Sequence, residues 1–138
     1  MNSVLVVEDF EPFREFVSAL LREELAFQVV SEASDGFEAV HCARELNPDL
    51  ILLDLGLPGL NGIETARRLR ELAPRSRIVF LTLESSAEIL EEALSSGALG
   101  YVHKSRAGND LVPAIATVLD GKQFVSKPYF SQAERCTE

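Results

Sequence analysis

Short aliphatic runs alternate along this chain with segments whose apolar residues recur at helical spacing. One such run covers residues 50–53, between Asp49 and Asp54, and a loop with glycine and proline follows it. An unbroken apolar run of this length is typical of a central strand in a parallel sheet that is covered on both faces. We therefore expect a strand at residues 49–54. Asp54 would lie at its carboxyl end, where ligands collect in open α/β sheets.

The same patterns predict five strands and five helices in alternation. We expect strands at residues 3–7, 27–31, 49–54, 77–82 and 99–102. We expect helices where apolar residues repeat every three or four positions, within residues 13–21, 39–46, 63–72, 87–94 and 111–119. Because strands that alternate with helices usually run parallel, with right-handed crossovers, these elements predict a three-layer (βα)5 α/β fold. Its sheet would be doubly wound and flavodoxin-like, with strand order 2-1-3-4-5.

The chain has the length of one ordinary domain, 138 residues. The periodic pattern ends near Gly121, and residues 122–138 are polar with scattered aromatic residues. We interpret residues 1–121 as a single domain and residues 122–138 as a linker or tail.

Composition narrows the possible functions. The net charge is −9, which argues against binding of nucleic acid phosphates by this segment, since that requires clustered Lys and Arg. There is no apolar run of about 18 residues, and the N-terminus lacks the pattern of a signal peptide. We therefore expect a cytoplasmic protein that does not enter a membrane. The two cysteines, Cys42 and Cys136, are far apart and are interpreted as free thiols.

Polar residues follow four of the predicted strands. They are Glu8 and Asp9 after the first strand, Asp54 at the end of the third, Thr82 at the end of the fourth and Lys104 after the fifth. In the order 2-1-3-4-5 these four strands are neighbours, so their polar residues should converge at one edge of the sheet. Carboxylates about 4–5 Å apart repel each other by about 1 kcal/mol per pair in water and by about 4 kcal/mol at an effective dielectric of about 20. Such a site needs a cation, and Mg²⁺ suits a site whose ligands are all oxygen atoms.

The same residues suit phosphoryl chemistry. A carboxylate beside Mg²⁺ can attack a phosphoryl group and form an aspartyl phosphate. The charged oxygens of that group can contact the metal, the Lys104 ammonium and the Thr82 hydroxyl. Each residue alone has a common structural explanation, such as a turn, a cap or surface charge. Their order along one alternating pattern indicates that Asp54 is a nucleophile, with Thr82 and Lys104 as its catalytic partners.

On these residues the chain resembles the receiver domain of bacterial two-component response regulators. The resemblance covers residues 3 to about 121, and its matching residues are Glu8, Asp9, Asp54, Leu57, Pro58, Gly59, Gly62, Thr82, Tyr101 and Lys104. It implies that a sensor histidine kinase transfers a phosphoryl group to Asp54 in a Mg²⁺-dependent reaction. It also implies a metal site made of Glu8, Asp9, Asp54 and the backbone carbonyl of Gly56.

The resemblance further implies a conformational switch. The phosphoryl group would draw in the Thr82 hydroxyl, and the ring of Tyr101 would turn from an exposed to a buried position. This change would repack the surface formed by the fourth helix, the fifth strand and the fifth helix. The protein would be a signalling switch that catalyses only its own phosphorylation and dephosphorylation, not an enzyme on other substrates. A homodimer could form on phosphorylation.

Within the family, residues 101–105, 111–115 and 121–126 are similar to the NarL/FixJ class. In that class a linker joins the receiver to a helix-turn-helix DNA-binding domain that controls transcription. No such domain precedes the end of this sequence at Glu138. We therefore expect either the receiver portion of a transcription factor, which would contact DNA only through that absent domain, or a single-domain regulator.

Four positions depart from the family pattern. Leu83 stands where a small residue is usual, Gly56 stands where a larger one is often found, Glu84 adds a carboxylate, and Ser105 replaces a common proline. A bulky side chain at Leu83 could narrow access to Asp54. Leu83 and Glu84 therefore keep open a constitutive pseudo-receiver that acts by protein binding alone.

Two other classes fit less well. A phosphatase of the haloacid-dehalogenase type also uses Asp, Mg²⁺, Thr and Lys on parallel strands, but it needs a second Asp two residues after the nucleophile, where this chain has Gly56. A nucleotide-binding Rossmann domain would need a glycine fingerprint after the first strand, which is absent. The histidines do not suggest catalysis, because His41 lies in the middle of a predicted helix and strand alternation should direct His103 away from Lys104.

Overall fold

Strands and helices alternate through residues 1–126, the part of the chain that the computed structural model describes. The strands are β1 (Asn2–Val7), β2 (Phe27–Ala33), β3 (Leu50–Asp54), β4 (Arg77–Thr82), β5 (Gly100–His103) and β6 (Phe124–Val125). The helices are α1 (Glu11–Arg22), α2 (Gly36–Leu46), α3 (Gly62–Leu72), α4 (Ala87–Ser95) and α5 (Ala107–Leu119), and a short 3₁₀ turn covers Lys104–Arg106. All five predicted strands and all five predicted helices are present.

The six strands are parallel and form one sheet in the order β2-β1-β3-β4-β5-β6. The predicted doubly wound α/β fold with strand order 2-1-3-4-5 is therefore confirmed, with one strand added at the β5 edge. Because β2 and β3 flank β1, the connection that leaves β1 runs toward one edge of the sheet, and the connection that leaves β3 runs toward the other edge. A crevice opens at the carboxyl ends of strands placed in this way.

Two apolar layers cover the sheet, one on each face. β3 is buried along its whole length, and its side chains alternate between the layers. Ile51 and Leu53 lie in the layer that includes buried residues of α2, α3 and α4, whereas Leu50 and Leu52 lie with buried residues of α1 and α5. Burial on both faces explains why this strand is an unbroken aliphatic run, and it places Asp54 at the end of a rigid element.

The loop after β3 returns close to the strand that it leaves. A Cβ atom at Gly62 would lie 2.6 Å from the backbone oxygen of Asp54 and 2.6 Å from the Cα atom of Leu55. The Gly62 N–H also donates to the Leu55 carbonyl at 3.2 Å. Only glycine fits here without a shift of the backbone. This close packing at the start of α3 fixes the loop after β3 in its position beside Asp54.

The sixth strand lies beyond the predicted domain boundary at Gly121. Phe124 N donates to Leu99 O at 3.0 Å and Ser126 N donates to Tyr101 O at 2.9 Å, so this segment pairs with the outer edge of β5. Ser126 is fully buried. A strand of two residues is too short to show a periodic pattern, and its partners are distant in the chain, so the sequence did not predict it.

Residues 127–138, the rest of the predicted linker, lie outside the described residues. Among residues 1–126, no helix combines the length and the apolar character needed to cross a membrane. The longest of the described helices, α5, has 13 residues, whereas a membrane span needs about 20.

We predict that removal of residues 122–126 destabilises the domain. A chain that ends at Gly121 loses the backbone hydrogen bonds to β5, the side-chain bonds of Ser126 and the half-buried Phe124 and Val125. Its free energy of unfolding should be about 2–4 kcal/mol below that of a chain that ends at Ser126, as measured by urea denaturation. Equal unfolding midpoints for the two chains would show that β6 contributes nothing to the fold.

Candidate functional site

The carboxyl ends of β1, β3, β4 and β5 surround a cavity of about 830 Å³. Its wall includes all the residues predicted as nucleophile, metal ligands or catalytic partners: Glu8, Asp9, Asp54, Gly56, Thr82 and Lys104. Apolar side chains form much of the remaining wall, namely Phe10, Phe13, Leu55, Leu83 and Ile89. The structure thus brings together residues that are up to about a hundred positions apart in the chain, because parallel strands end at the same edge of a sheet.

Asp54 is the last residue of β3 and is 4% exposed. Its Oδ1 atom accepts a hydrogen bond from the Gly56 N–H at 3.0 Å and lies 3.4 Å from the Lys104 Nζ atom. The strand fixes the position of this carboxylate, and the two contacts fix its orientation. A carboxylate with a fixed position and orientation is what attack on a group that enters the cavity would require.

Lys104 joins the two buried carboxylates of the site. Its Nζ atom lies 2.8 Å from Glu8 Oε1, in addition to its contact with Asp54. Glu8 is fully buried, and its Oε2 atom accepts a hydrogen bond from the Phe10 N–H at 3.0 Å. The Lys104 Nζ atom also lies 5.0 Å from the centre of the Phe13 ring, within the range of a cation–π contact. The sequence did not reveal this role of Phe13, because its helical spacing marks it as an ordinary core position of α1.

The pKa of Asp54 is raised from its usual 3.8 to about 7. Burial is the largest cause, and the charge of Glu8 and a hydrogen bond with Asp9 act in the same direction, whereas the Gly56 N–H and the Lys104 charge oppose them. Burial lowers the pKa of Lys104, but the hydrogen bond to Glu8 and the charges of Asp54 and Glu8 outweigh this effect, so the pKa of Lys104 is raised. The site carries more negative charge than one lysine balances, and a further cation would stabilise it.

Three carboxylates lie close enough together to share a metal ion. One oxygen atom each of Glu8, Asp9 and Asp54 lies within 4.8 Å of the other two. Asp9 is exposed to solvent, whereas the other two are buried. An all-oxygen ligand set with surplus negative charge suits Mg²⁺, which keeps several water ligands when it binds. These residues therefore fit Mg²⁺, and Gly56, whose carbonyl is predicted as a further ligand, belongs to the same cavity wall.

Thr82 is the last residue of β4 and is 2% exposed. Its Oγ1 atom accepts a hydrogen bond from the Glu84 N–H at 2.9 Å, and this leaves the hydroxyl proton available for donation. In the sheet Thr82 lies opposite His103, the residue before Lys104. The hydroxyl and the ammonium group therefore stand at adjacent strand ends.

Tyr101 lies on β5 and does not line the cavity. Its side chain is completely buried in the apolar layer that also contains Phe80 and Ala93. This is the buried position that the resemblance assigns to the phosphorylated form. The switch role of Tyr101 stays a prediction, because the structure shows one orientation of the ring.

The four departures from the family pattern all lie at the cavity. Leu83 lies in the cavity wall and is 70% exposed. The narrowing of access to Asp54 by its side chain stays a prediction. A Cβ atom at Gly56 would lie 3.8 Å from Asp54 Oδ1, an ordinary contact distance, so the first side-chain atom of another residue would fit there. The described residues contain no cis peptide bond, and Ser105 therefore follows a trans bond.

His103 makes contacts that strand alternation does not reveal. Its Nε2 atom lies 3.1 Å from the Leu83 carbonyl oxygen, and its Nδ1 atom lies 2.6 Å from Ser105 Oγ. The ring therefore connects the loop after Thr82 to the loop that contains Lys104. No sequence signal indicates this connection, because it depends on the course of two loops.

Residues 4–116 match the family model of the response regulator receiver domain, and the chain therefore belongs to the response regulator receiver family. The nitrate/nitrite response regulator protein NarL of Escherichia coli (strain K12) is 37% identical over 125 residues, which are 91% of this chain and 58% of that protein. The response regulator GacA of Pseudomonas aeruginosa is 32% identical over 126 residues, which are 91% of this chain and 59% of that protein. The chain thus spans less than two thirds of the length of these curated relatives.

Solved structures agree with the family and the class. A two-component response regulator of the LuxR family from Aurantimonas sp. SI85-9A1 has a TM-score of 0.93 at 34% identity, and the match covers 100% of this chain and 99% of that one. The receiver domain of the response regulator NarL from Mycobacterium tuberculosis has a TM-score of 0.83 at 30% identity, over 88% of this chain and 98% of that one. The predicted resemblance to NarL-type receivers is confirmed, and family membership favours a signalling protein over the phosphatase and Rossmann alternatives.

We predict that the Asp54→Asn variant gains stability relative to the parent protein as pH rises. A carboxyl group with a folded-state pKa of about 7 binds its proton more tightly in the folded chain than in the unfolded chain. The parent therefore loses stability as pH rises between about 4 and 7, whereas asparagine does not titrate. In metal-free buffer, the free energy of unfolding of the variant minus that of the parent should increase by about 1–3 kcal/mol from about pH 5 to about pH 8, as measured by urea denaturation.

The Asp120→Asn variant is the matched control, because it changes an exposed aspartate at the C-terminal end of α5. Its difference from the parent should stay constant over the same pH range. An equally constant difference for Asp54→Asn would contradict the raised pKa of Asp54.

Proposed function

We propose that this chain is a phosphorylation-controlled signalling switch whose Asp54 accepts a phosphoryl group from a sensor histidine kinase. The observation that carries the proposal is the arrangement of Asp54. It is a buried carboxylate, held by Gly56 and Lys104, beside two further carboxylates at the wall of an open cavity. A purely structural ion pair would gain nothing from the surplus negative charge. Membership of the receiver family supports the same interpretation.

Asp54 is the nucleophile in this proposal. One of its carboxylate oxygens forms a bond to phosphorus while the bond from phosphorus to the donor atom breaks, and the donor leaves with that electron pair. Glu8, Asp9, Asp54 and the Gly56 carbonyl would hold Mg²⁺, which supplies positive charge beside the phosphoryl oxygens.

Lys104 and Thr82 stabilise the transferred group. The Lys104 Nζ atom lies 3.4 Å from Asp54 Oδ1, so the ammonium is within reach of an oxygen on a group attached to Asp54. The Thr82 hydroxyl stands at the end of the strand that pairs with β3, and it keeps a proton to donate. Donation to a phosphoryl oxygen would draw the Thr82 side chain toward Asp54, and this movement begins the switch.

Tyr101 relays the movement to the surface formed by α4, β5 and α5. Its ring belongs to the same apolar layer as Ala93 of α4 and Phe80 of β4. New charge at one point can therefore change the packing of this surface. The repacked surface would bind either an output domain or a second copy of the chain, which gives a phosphorylation-linked homodimer.

The chain covers 58% of the NarL relative. We infer that the receiver controls a DNA-binding output domain in transcription, through the segment after Ser126, and that the protein contacts DNA only through that domain. The net charge of −9 disfavours direct contact between the receiver and DNA. Such a switch works in the cytoplasm and catalyses only its own phosphorylation and dephosphorylation. A single-domain regulator and a constitutive pseudo-receiver are the alternatives.

We expect acetyl phosphate to add a single phosphoryl group to the protein when Mg²⁺ is present and none when EDTA is present, as measured by intact-protein mass spectrometry. The Asp54→Asn variant should take up no phosphoryl group, because the amide oxygen is a poor nucleophile. The Asp120→Asn variant, with its substitution far from the cavity, should be labelled at the parent rate.

Labelling that persists in Asp54→Asn would refute this acceptor. A parent protein that binds Mg²⁺ but takes up no phosphoryl group would favour the pseudo-receiver. In that case Leu83 and Glu84, at the mouth of the cavity, are the residues to replace first.

A further inference from the structure

The ring of His103 is held between two loops. The Ser105 N–H donates to His103 Nδ1 at 3.2 Å, so Nδ1 is an acceptor and a neutral ring carries its proton on Nε2. That N–H then donates to the Leu83 carbonyl at 3.1 Å. The side chain is half-buried at the end of β5, and each of its ring nitrogens has a partner.

The two segments adjoin Thr82 and Lys104, the residues that would contact a phosphoryl group. Leu83 directly follows Thr82, and Lys104 directly follows His103. The hydrogen bond between Glu84 N and Thr82 Oγ1 is local to its own loop. The His103 ring, in contrast, joins the end of β5 to Leu83, which lies one residue beyond the last register pair of the two strands.

The backbone of His103 is fixed from the opposite side. Its N–H donates to Ser126 Oγ at 3.0 Å, and the Ser126 hydroxyl donates to Asp110 Oδ2 at 2.9 Å. Ser126 is fully buried. Asp110 of α5 and Ser126, just after β6, therefore anchor the backbone of His103, and its ring contacts the Leu83 carbonyl from this anchored position.

We propose that His103 is a positioning residue for phosphoryl transfer, which holds the loop after Thr82 against the 3₁₀ turn that begins at Lys104. The Thr82 and Lys104 side chains can then reach one phosphoryl group. This inference rests on the proposed function. Groups that act together on a transferring phosphoryl group need their geometry set in advance, and small displacements slow such reactions strongly. His103 would neither touch the phosphoryl group nor bind the metal.

The test compares three variants of the full 138-residue chain. His103→Val removes the ring and keeps a residue that suits a strand. His103→Gln keeps an N–H donor at a similar reach, so it can restore the bond to the Leu83 carbonyl. Asp120→Asn is the control, because it changes an exposed aspartate at the C-terminal end of α5 and leaves the contacts of the His103 ring in place.

Three quantities are measured for each protein: the rate of labelling by acetyl phosphate with Mg²⁺, the Kd for beryllofluoride as a phosphoryl mimic, and the Kd for Mg²⁺ alone. We expect His103→Val to label about tenfold more slowly and to bind beryllofluoride about tenfold more weakly, with the Kd for Mg²⁺ within about twofold of the parent. His103→Gln should recover both quantities to within about threefold of the parent, and Asp120→Asn should match the parent. If His103 served only to keep the domain folded, Gln would not restore the labelling rate and the Kd for beryllofluoride while the Kd for Mg²⁺ stayed unchanged in every variant.

Urea denaturation of every variant shows whether it is folded. If His103→Val does not fold, His103→Asn replaces it, because the shorter amide cannot reach the Leu83 carbonyl, and it should label about tenfold more slowly than His103→Gln. A labelled parent with an equally fast Val or Asn variant would overturn the inference and leave the proposed function standing. A parent that is not labelled would overturn the proposed function and this inference with it.

Discussion

The buried ion pair of Glu8 and Lys104 is the interaction on which the site depends. Glu8 is completely buried beside Asp54, and charged carboxylates are tolerated in such surroundings only when a cation lies against them. Lys104 supplies that cation, and the Phe13 ring lies against its ammonium. Because these groups stand at the ends of β1, β3 and β5, their contacts also join three strands at the edge of the sheet where the cavity opens.

One lysine balances only part of the negative charge, and a purely structural ion pair would gain nothing from this imbalance. Burial and the charge of Glu8 hold the pKa of Asp54 near neutral pH, at a cost to the stability of the folded chain at higher pH. Proteins commonly give up stability in this way at sites that act on a ligand. The same surplus charge would attract a divalent cation, and the low polarity of the apolar part of the wall strengthens the interactions between charges at the site.

β5 connects the cavity to the last described residues. It directs Tyr101 into an apolar layer and His103 toward the Leu83 carbonyl, and Lys104, the residue directly after it, contacts the carboxylates. On its outer edge, β6 and Ser126 bind the backbone of the same strand. A continuous set of contacts therefore runs from Asp54 through Lys104 and His103 to Ser126, the last described residue.

Much of the fold and the centre of the site could be predicted from the sequence alone. Burial on both faces imposes aliphatic runs such as residues 50–53, and parallel order then requires that Glu8, Asp54 and Lys104 meet at one edge. Only the tertiary structure decided the sixth strand, the ring of Phe13 over Lys104 and the direction of His103. These features depend on the course of loops and on contacts between residues far apart in the chain. A periodic pattern assigns a residue to one face of its helix or strand but does not identify a distant partner, and so no local pattern records these contacts.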